Sequence, residues 1–398
     1  MKDQILYVVG GRSFSSKNPG RKIGEVISVW QKIGVEVHTQ FGRDIIEKND
    51  SEVIKYGSQH HYDAKYRNIK WLSLLVNSYS ELRDITHNFK LYKKLKKEYK
   101  QKDLNLIWER SARLHFSGLK LAQKKNVPFV LEWKDNLLNY KYSFFKFLAS
   151  YYEKKKLNEA DFIVVESSVL KNQLISQGIE SAKIKVALNA VNPNEFKKEE
   201  DKGLMVRKEL NIPQSEIVVG YLGSYAFYHN TSLLVKAAKL TLEKSNNITF
   251  VLVGNGKEYK ECKALAKEFN LPKEKFMMLD GIDKELVPHY LSMMDITILP
   301  GSTDIICPIK IMEYMAAETV VLAPDYECNR EVIKDEVNGI LFESNNELDL
   351  SEKIASIEND QSMQEKLKNN ARQYVVDNLT WEQTWGDVLL KTLQNEAD

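Results

Sequence analysis

Short apolar runs alternate with stretches of helical periodicity along the first half of the chain. The run QILYVVG at 4–10 is apolar and ends at a glycine pair, which is typical of a buried strand followed by a turn. Helical spacing follows over 20–34, and VEVHTQFG at 35–42 has the pattern of a second strand. Further strands are predicted at 104–110, 128–133 and 161–167. This alternation predicts a parallel sheet covered by helices.

A second alternation of the same kind occupies the other half of the chain. The stretch 188–203, LNAVNPNEFKKEEDKG, is polar and charged and contains a proline, which predicts a linker. Strand patterns follow at 216–224, 247–256, 275–281, 295–301, 319–324 and 338–343, and the tail from about 360 is helical. We therefore predict an α/β protein with two doubly wound parallel-sheet domains, 1–195 and 196–377. A cleft is expected where the carboxyl ends of the two sheets face each other.

Composition narrows the classes of function. The 57 Lys and Arg residues nearly balance the 55 Asp and Glu residues, so no nucleic-acid partner held by bulk charge is expected. The three cysteines lie far apart, which suggests neither a disulfide framework nor a zinc site. No signal peptide or membrane-spanning run is evident. We expect a cytoplasmic protein that is soluble or peripheral on a membrane surface.

The segment CPIKIMEYMA at 307–316 carries one lysine and one glutamate on an apolar helix. Lys310 and Glu313 are three residues apart and share a helix face. Pro308 suits the first helical turn, so the helix amides and Lys310 would stabilise a phosphate, while Glu313 could accept hydrogen bonds from the vicinal hydroxyls of a ribose. Together these groups predict a nucleotide site. The alternative is a solvated Lys310–Glu313 ion pair on the helix surface.

Charged and glycine residues also follow strands of the first domain. Gly10 and Gly11 come directly after the first strand, where the absence of Cβ atoms would let backbone amides approach a ligand, or would simply permit a tight turn. Arg110, Glu132 and Lys134 lie at the ends of two later strands. Because carboxyl ends of parallel strands meet at one edge, these three are site candidates, although an ordinary solvated pair is equally consistent with the pattern.

Two basic segments contain interleaved aromatic residues. FKLYKKLKKEYKQK at 89–102 and YKYSFFKFLASYYEKKK at 140–156 have helical patterns. They are interpreted as solvated helix faces, with an interfacial membrane patch as the alternative. The histidines show no metal-binding spacing, so no metal is expected.

The segment PIKIMEYMAAETVVLAP at 308–324 resembles the P-x-K-x-x-E-Y-M-A motif of GT-B glycosyltransferases, particularly family four, the retaining nucleotide-sugar enzymes. Other stretches are similar to family segments in the same order: IWERSARLHFSG, EADFIVVESSVLK, VALNAVNPNEF, VGYLGS, VLVGNG and EVIKDEVNGILF. Each is weak alone, but their order and spacing are specific. The resemblance implies a GT-B fold of two Rossmann-like domains, with the final helix, about 378–398, packing back on the first.

The resemblance also implies roles for individual residues. Glu313 matches the second glutamate of the family's E-x7-E motif, which binds the donor ribose. Ile305 falls at the first glutamate, with Asp304 beside it as a substitute. Ser224 and His229 stand where many members carry an Arg and a Lys that grip the diphosphate, so Lys310, helix amides and His229 would hold it instead. The implied donor-binding set is Gly10, Gly11, Gly223, Ser224, His229, Gly254, Asp304, Ile305, Pro308, Ile309, Lys310 and Glu313, and the catalytic set is Lys310, Glu313, Arg110, Glu132 and Lys134.

The expected activity is metal-independent transfer of a sugar from a nucleoside diphosphate sugar to a hydroxyl acceptor, with retention of configuration and no further cofactor. Domain 1–195 would hold the acceptor, lipid-linked or glycan, and domain 196–377 the donor, in surface polysaccharide or glycolipid assembly. Two alternatives stay open. One is a catalytically degenerate GT-B subunit that binds a partner glycosyltransferase or an acceptor, and the other is a nucleotide-sugar epimerase.

Overall fold

The computed structural model describes residues 2–12, 14–45, 69–134 and 142–394. The chain forms two compact units. The first comprises Met1–Glu166, Leu170–Ala187 and Trp385–Asp398, and the second comprises Ser167–Val169 and Leu188–Thr384. The main part of the first unit ends at Ala187, before the predicted boundary at 195. The second unit ends at Thr384, after the predicted boundary at 377. The first division comes early because a strand ends at Val186, after which Val191 N donates to Leu379 O, 3.0 Å away, in the second unit.

The elements up to Ala187 follow one another in βα order. They are β1 (Gln4–Val9), α1 (Arg21–Lys32), β2 (Glu36–Phe41), a 3-10 turn (Arg43–Ile45), α2 (Lys70–Glu98), β3 (Leu106–Arg110), α3 (Ser117–Lys125), β4 (Phe129–Glu132), α4 (Lys146–Glu159), β5 (Phe162–Val165), α5 (Ser168–Ser176), a 3-10 turn (Ser181–Lys183) and β6 (Ile184–Val186). The six strands pair in parallel in the order β2-β1-β3-β4-β5-β6. Among the strands of the described residues, β6 is the one that the sequence pattern missed, because three residues are too few to show a period.

An aromatic cluster holds the carboxyl-terminal segment within the first unit. Trp30 of α1 lies 4.7 Å from Trp108 of β3 between ring centroids, and its Nε1 donates to Trp385 O at 2.9 Å. Trp385 is fully buried and belongs to a π-helical turn, Glu382–Gly386, that leads into α14 (Asp387–Leu393). The predicted tail helix is therefore divided: the helix Gln361–Asn378 ends before the turn, and the last part of the tail joins this core.

The second unit repeats the architecture. Its elements are α6 (Glu200–Glu209), β7 (Ile217–Leu222), a 3-10 turn (Phe227–His229), α7 (Thr231–Leu242), β8 (Ile248–Val253), α8 (Tyr259–Glu268), β9 (Phe276–Leu279), a 3-10 turn (Lys284–Leu286), α9 (Val287–Ser292), β10 (Ile296–Ile298), α10 (Ile309–Ala316), β11 (Val320–Pro324), α11 (Glu327–Arg330), β12 (Ile340–Phe342), α12 (Glu347–Glu358) and α13 (Gln361–Asn378). Its strands are parallel in the order β12-β11-β10-β7-β8-β9. The prediction of two doubly wound parallel sheets is confirmed.

The end of the predicted linker proves to be helical. Residues 200–203 lie in α6, where Glu200 and Asp201 occupy the first turn and Arg207 and Lys208 the last. Acidic side chains at the amino end and basic side chains at the carboxyl end interact favourably with the helix dipole. The end of the segment that was predicted as a linker from its polarity therefore begins a helix.

Candidate functional site

Two glycines bring the carboxyl ends of β7 and β8 against α10. Gly254 has φ of +146°, and a Cβ on it would lie 1.8 Å from Gly223 O. A Cβ on Gly223 would lie 2.4 Å from Cε of Lys310. The two strand ends and the Lys310 side chain therefore come together only because both positions lack a side chain. These are sequence-predicted site residues, and the structure brings them into contact.

Helix α10 begins one residue later than predicted. Pro308 is extended, with φ of −69° and ψ of 142°, and it precedes the first helical residue, Ile309. Its carbonyl oxygen accepts the amide hydrogen of Ile311 at 3.1 Å. The expectation that Pro308 lies inside the first turn is wrong by one position, because its C=O already starts the helical hydrogen bonding while its own ψ is not helical. Lys310 lies in the first turn, as predicted.

The Lys310 ammonium contacts a histidine. Its Nζ lies 3.1 Å from Nε2 of His229, and Nδ1 of His229 lies 3.2 Å from Gly301 O. Burial, with Lys310 adding repulsion, lowers the pKa of His229 to about 4. Burial also lowers the pKa of Lys310, and the Glu313 carboxylate partly opposes this effect. Glu313 is only 9% exposed, which does not fit a solvated ion pair on the helix surface.

The remaining predicted donor residues differ in how their side chains are placed. Asp304 is exposed and Ile305 half-buried. The backbone oxygen of Ile305 accepts a hydrogen bond of 2.5 Å from Ser167 Oγ, so this residue contributes a backbone contact. Ser224 is exposed, and its carbonyl oxygen accepts from Tyr221 Oη at 2.7 Å.

Tyr314, which was not among the predicted site residues, joins α10 to the end of β7. Its Oη donates to Leu222 O at 2.9 Å and accepts from Leu222 N at 3.1 Å. Both backbone groups of the last β7 residue are thereby fixed to the helix that carries Lys310 and Glu313. Its position next to Glu313 in the EYM sequence was the available signal.

In the first unit, the three predicted charged residues are brought together. Arg110 forms an ion pair and hydrogen bond with Glu132, which is fully buried. Lys134 Nζ lies 2.7 Å from Oε1 of Glu166, and Lys22 Nζ lies 2.9 Å from Oε2 of the same carboxylate. Glu166 and Lys22 were missed, although Glu166 follows β5 as Arg110 and Glu132 end their strands.

The pKa values in this cluster shift because its charges are buried. Burial lowers the pKa of Lys22 to about 7, although Glu166 opposes the change. Burial alone would raise the pKa of Glu166, but Lys22 and Lys134 hold it well below its usual range. The carboxylate is therefore ionised and holds the amino groups of Lys22 and Lys134 in fixed positions.

The Gly10–Gly11 turn is hydrogen-bonded within the unit. Gly10 N donates to Arg110 O at 3.4 Å, and Gly11 N lies 3.2 Å from Nε2 of His115. Gly11 has φ of +85°, and a Cβ on Gly10 would lie 2.9 Å from Ala112 Cβ. These contacts favour the tight-turn alternative over amides reserved for a ligand.

Large aromatic side chains are exposed on α2 and near the start of α4. Trp71 and Tyr79 are 64% and 65% exposed, and Phe144 and Phe147 are 66% and 86% exposed. Phe144 N donates to Ser78 Oγ at 3.0 Å, which joins the two segments. We call these four residues the aromatic surface. Residues 140–141 of the predicted basic segment lie outside the described residues.

Within the described ranges, no helix combines the length and apolar character needed to cross a bilayer. Over the same residues, no three His, Cys, Asp or Glu side chains are grouped so that they could hold a metal ion.

The two parallel doubly wound units are the ones expected of a GT-B fold. Family profiles match it in succession: Glycosyltransferase Family 4 over residues 48–195 and Glycosyl transferases group 1 over residues 205–374. The two matches together cover most of the chain, which therefore resembles the GT-B glycosyltransferases of family four.

Known proteins agree with this assignment. A glycosyltransferase of Methanocaldococcus jannaschii is 23% identical over 225 residues, which cover 55% of this chain and 56% of the relative. The match to a second glycosyltransferase from that organism covers 57% of that relative. The chain therefore spans little more than half the length of these two relatives. The crystal structure of a Rickettsia africae glycosyltransferase superposes with a TM-score of 0.71 at 18% identity, covering 100% of both chains. The crystal structure of an Anabaena protein in complex with UDP superposes with a TM-score of 0.69 at 15% identity, covering 99% of this chain and 100% of the Anabaena chain.

Proposed function

We propose that this protein transfers a sugar from a nucleoside diphosphate sugar to a hydroxyl acceptor with retention of configuration. The observation that carries the proposal is the convergence of Gly223, Gly254 and Lys310 at the carboxyl ends of β7 and β8, where α10 begins, with Glu313 buried one turn further along this helix. Ligands of doubly wound sheets bind at this edge. The nucleotide would therefore lie in the second unit.

The chemistry requires stabilisation of the charge that develops on the leaving diphosphate. The first N–H groups of a helix have no partner within that helix, and its dipole favours an anion there. Lys310 lies in this first turn and would add its ammonium group to the same pocket. Fixed donors of this kind stabilise the transition state without reorganising during the reaction. The Glu313 carboxylate would accept hydrogen bonds from the ribose hydroxyls and so fix the nucleotide.

The UDP bound to the Anabaena relative supports a nucleoside diphosphate as the donor product. In our proposal the donor is held by protein groups, so transfer needs no metal and no further cofactor. The experiment below compares four nucleotides to identify the base.

The acceptor would bind the first unit beside the buried cluster of Arg110, Glu132, Lys134 and Glu166. Charges held at adjacent strand ends are well suited to orient a polar acceptor. We further propose that the aromatic surface rests on the inner face of the cytoplasmic membrane, because exposed aromatic rings beside lysines suit the headgroup region. This placement would give access to a lipid-linked acceptor for surface polysaccharide or glycolipid assembly.

The test is a metal-free calorimetric titration of the wild type with UDP, GDP, ADP and dTDP. One nucleotide should bind, and Glu313→Ala and Glu313→Gln should weaken that nucleotide about tenfold or more, because a charged acceptor contributes roughly 1.5–3 kcal/mol. Glu216→Gln is the control. Glu216 directly precedes β7 and pairs with Lys275, so it lies at the amino end of this strand, away from the proposed nucleotide site. Absence of binding by all four nucleotides would refute the donor site.

Turnover is tested separately with the sugar derivative of the nucleotide that binds. The anomeric configuration of the product, measured by NMR, must match that of the donor. Release of the nucleoside diphosphate without acceptor would also exclude simple epimerisation, which leaves the sugar on the nucleotide.

The degenerate-subunit alternative has its own support, because Ile305, Ser224 and His229 supply neither the carboxylate nor the two permanent cations found at these places in many members. Nucleotide binding without transfer to any acceptor would favour a degenerate subunit.

A further inference from the structure

His229 is buried and both of its ring nitrogens are engaged. Only 4% of the residue is exposed. Nδ1 lies 3.2 Å from Gly301 O, and Nε2 lies 3.1 Å from Lys310 Nζ. A residue that stood in for a phosphate-binding cation would need a donor directed at the ligand, and neither nitrogen is available for that role.

The surroundings hold the ring in this orientation. His229 ends the 3-10 turn after β7, and Asn230 follows in the left-handed region with φ of 46°. The ring lies 4.5 Å from that of Tyr228 and 6.3 Å from that of Tyr221, measured between centroids. A Cβ on Gly301 would lie 2.9 Å from Asn230 Cβ, so the loop that supplies the Gly301 carbonyl is packed directly against the turn.

These contacts define the hydrogen positions. A carbonyl oxygen only accepts, so Nδ1 must carry the hydrogen that Gly301 O receives. In a neutral ring Nε2 then has a lone pair, which accepts a hydrogen from the Lys310 ammonium. The pKa of His229, lowered to about 4 by burial and by Lys310, agrees with a neutral ring at pH 7.

We infer that His229 is a positioning residue that acts through Lys310: it accepts one ammonium hydrogen and directs the other two at the donor diphosphate. An ammonium has three donors, so two remain after the contact with His229. Gly223 permits the arrangement, because Cε of the lysine lies only 2.4 Å from the position that a Cβ would occupy. The inference rests on the proposed function, since it assigns the diphosphate as the ligand of Lys310. It replaces direct contact between His229 and phosphate with orientation of a single cation.

The test is a double-mutant cycle on affinity for the nucleoside diphosphate that binds the wild type. His229→Gln keeps an acceptor near the Nε2 position, whereas His229→Asn reaches only the Nδ1 position and keeps the donor to Gly301. We expect His229→Asn to weaken diphosphate binding about tenfold and His229→Gln to stay within about threefold, as expected for one charge-assisted hydrogen bond. In the Lys310→Met background, His229→Asn should cause no further loss.

The matching nucleoside, which lacks phosphates, serves as the control ligand. Its affinity should be the same in all variants, because a merely structural defect would weaken nucleoside and diphosphate alike. Additive losses in the cycle would mean that His229 contacts the phosphate itself and would overturn the inference. Wild-type affinity in His229→Asn would overturn it equally, while leaving the proposed donor site intact.

A second measurement does not depend on any nucleotide. Nitrogen NMR of the His229 ring should show hydrogen on Nδ1 and none on Nε2 at pH 7, and Lys310→Met should raise the pKa of the ring by removing a neighbouring cation. Hydrogen on Nε2 would refute the inference. If the wild type binds no nucleotide, the proposed function fails, and the tautomer still decides whether His229 accepts from Lys310.

Discussion

Gly223→Ala is predicted to displace Lys310 while leaving the fold of the second unit intact. The new Cβ would lie 2.4 Å from Lys310 Cε and 2.9 Å from Tyr221 Oη. Carbon atoms in contact are normally about 3.5–4.0 Å apart, so the lysine side chain must retreat by about 1 Å. Gly223 is not among the positive-φ residues of the described chain, so alanine is compatible with its backbone.

The expected loss follows from the contact that is broken. The 3.1 Å separation of Lys310 Nζ and His229 Nε2 would stretch beyond hydrogen-bonding distance. A hydrogen bond to a charged group contributes roughly 1.5–3 kcal/mol, so diphosphate affinity should fall about tenfold to 150-fold. Calorimetry with the diphosphate and with its nucleoside measures this loss, and the nucleoside affinity should not change.

Gly220→Ala provides the matched control. Gly220 lies within β7, three residues before Gly223. A Cβ on Gly220 would lie 2.0 Å from Sδ of Met294, and none of its nearest contacts is with Lys310. It should lower stability by about 1–3 kcal/mol through overpacking and leave the affinity ratio of diphosphate to nucleoside unchanged. The reasoning is refuted if Gly223→Ala folds normally and binds the diphosphate within twofold of the wild type.

Two further predictions concern the first unit. Burial lowers the pKa of His115 to about 3 from 6.5, so between these pH values the unfolded chain binds a proton that the folded chain does not. The free energy of unfolding should therefore fall as the pH drops below about 6.5. In urea unfolding, His115→Gln should flatten this dependence by up to about 1.4 kcal/mol per pH unit, and an unchanged slope would contradict the pKa shift of His115. Phe147→Glu should reduce cosedimentation with anionic phospholipid vesicles, whereas Phe227→Glu, 68% exposed in the second unit, should not; equal effects would argue against the aromatic surface as the membrane contact.

The fold was predictable because each sheet is buried on both faces. The inner strands are continuous apolar runs: Ile5–Val9 are at most 1% exposed, and Ile248–Val253 behave alike. Runs of this kind separated by helical periods leave few alternatives to a parallel sheet. The pattern failed where the period was too short or was masked by charge, as at Ile184–Val186 and at the start of α6.

The candidate site was predictable only where chemistry and position coincided in sequence. Lys310 and Glu313 stand out because they interrupt an apolar helix. Glu166 and Lys22 meet through pairing of distant strands and a helix, and no local pattern records that contact. His229 was identified from its place in the family motif, but its geometry depends on Gly301, a residue 72 positions away.

The family resemblance places Ser224 and His229 where many members carry two cations, and this replacement would change how the proposed donor site achieves its affinity. Two flexible cations attract a diphosphate through charge alone, and each loses conformational entropy on binding. A single lysine whose ammonium is already held by a neutral histidine has less freedom to lose, so more of its interaction energy remains as affinity. A single cation also attracts the diphosphate less strongly than two, and its contribution to affinity depends more closely on its exact position. Small steric changes such as Gly223→Ala should therefore matter here more than in relatives that keep both cations.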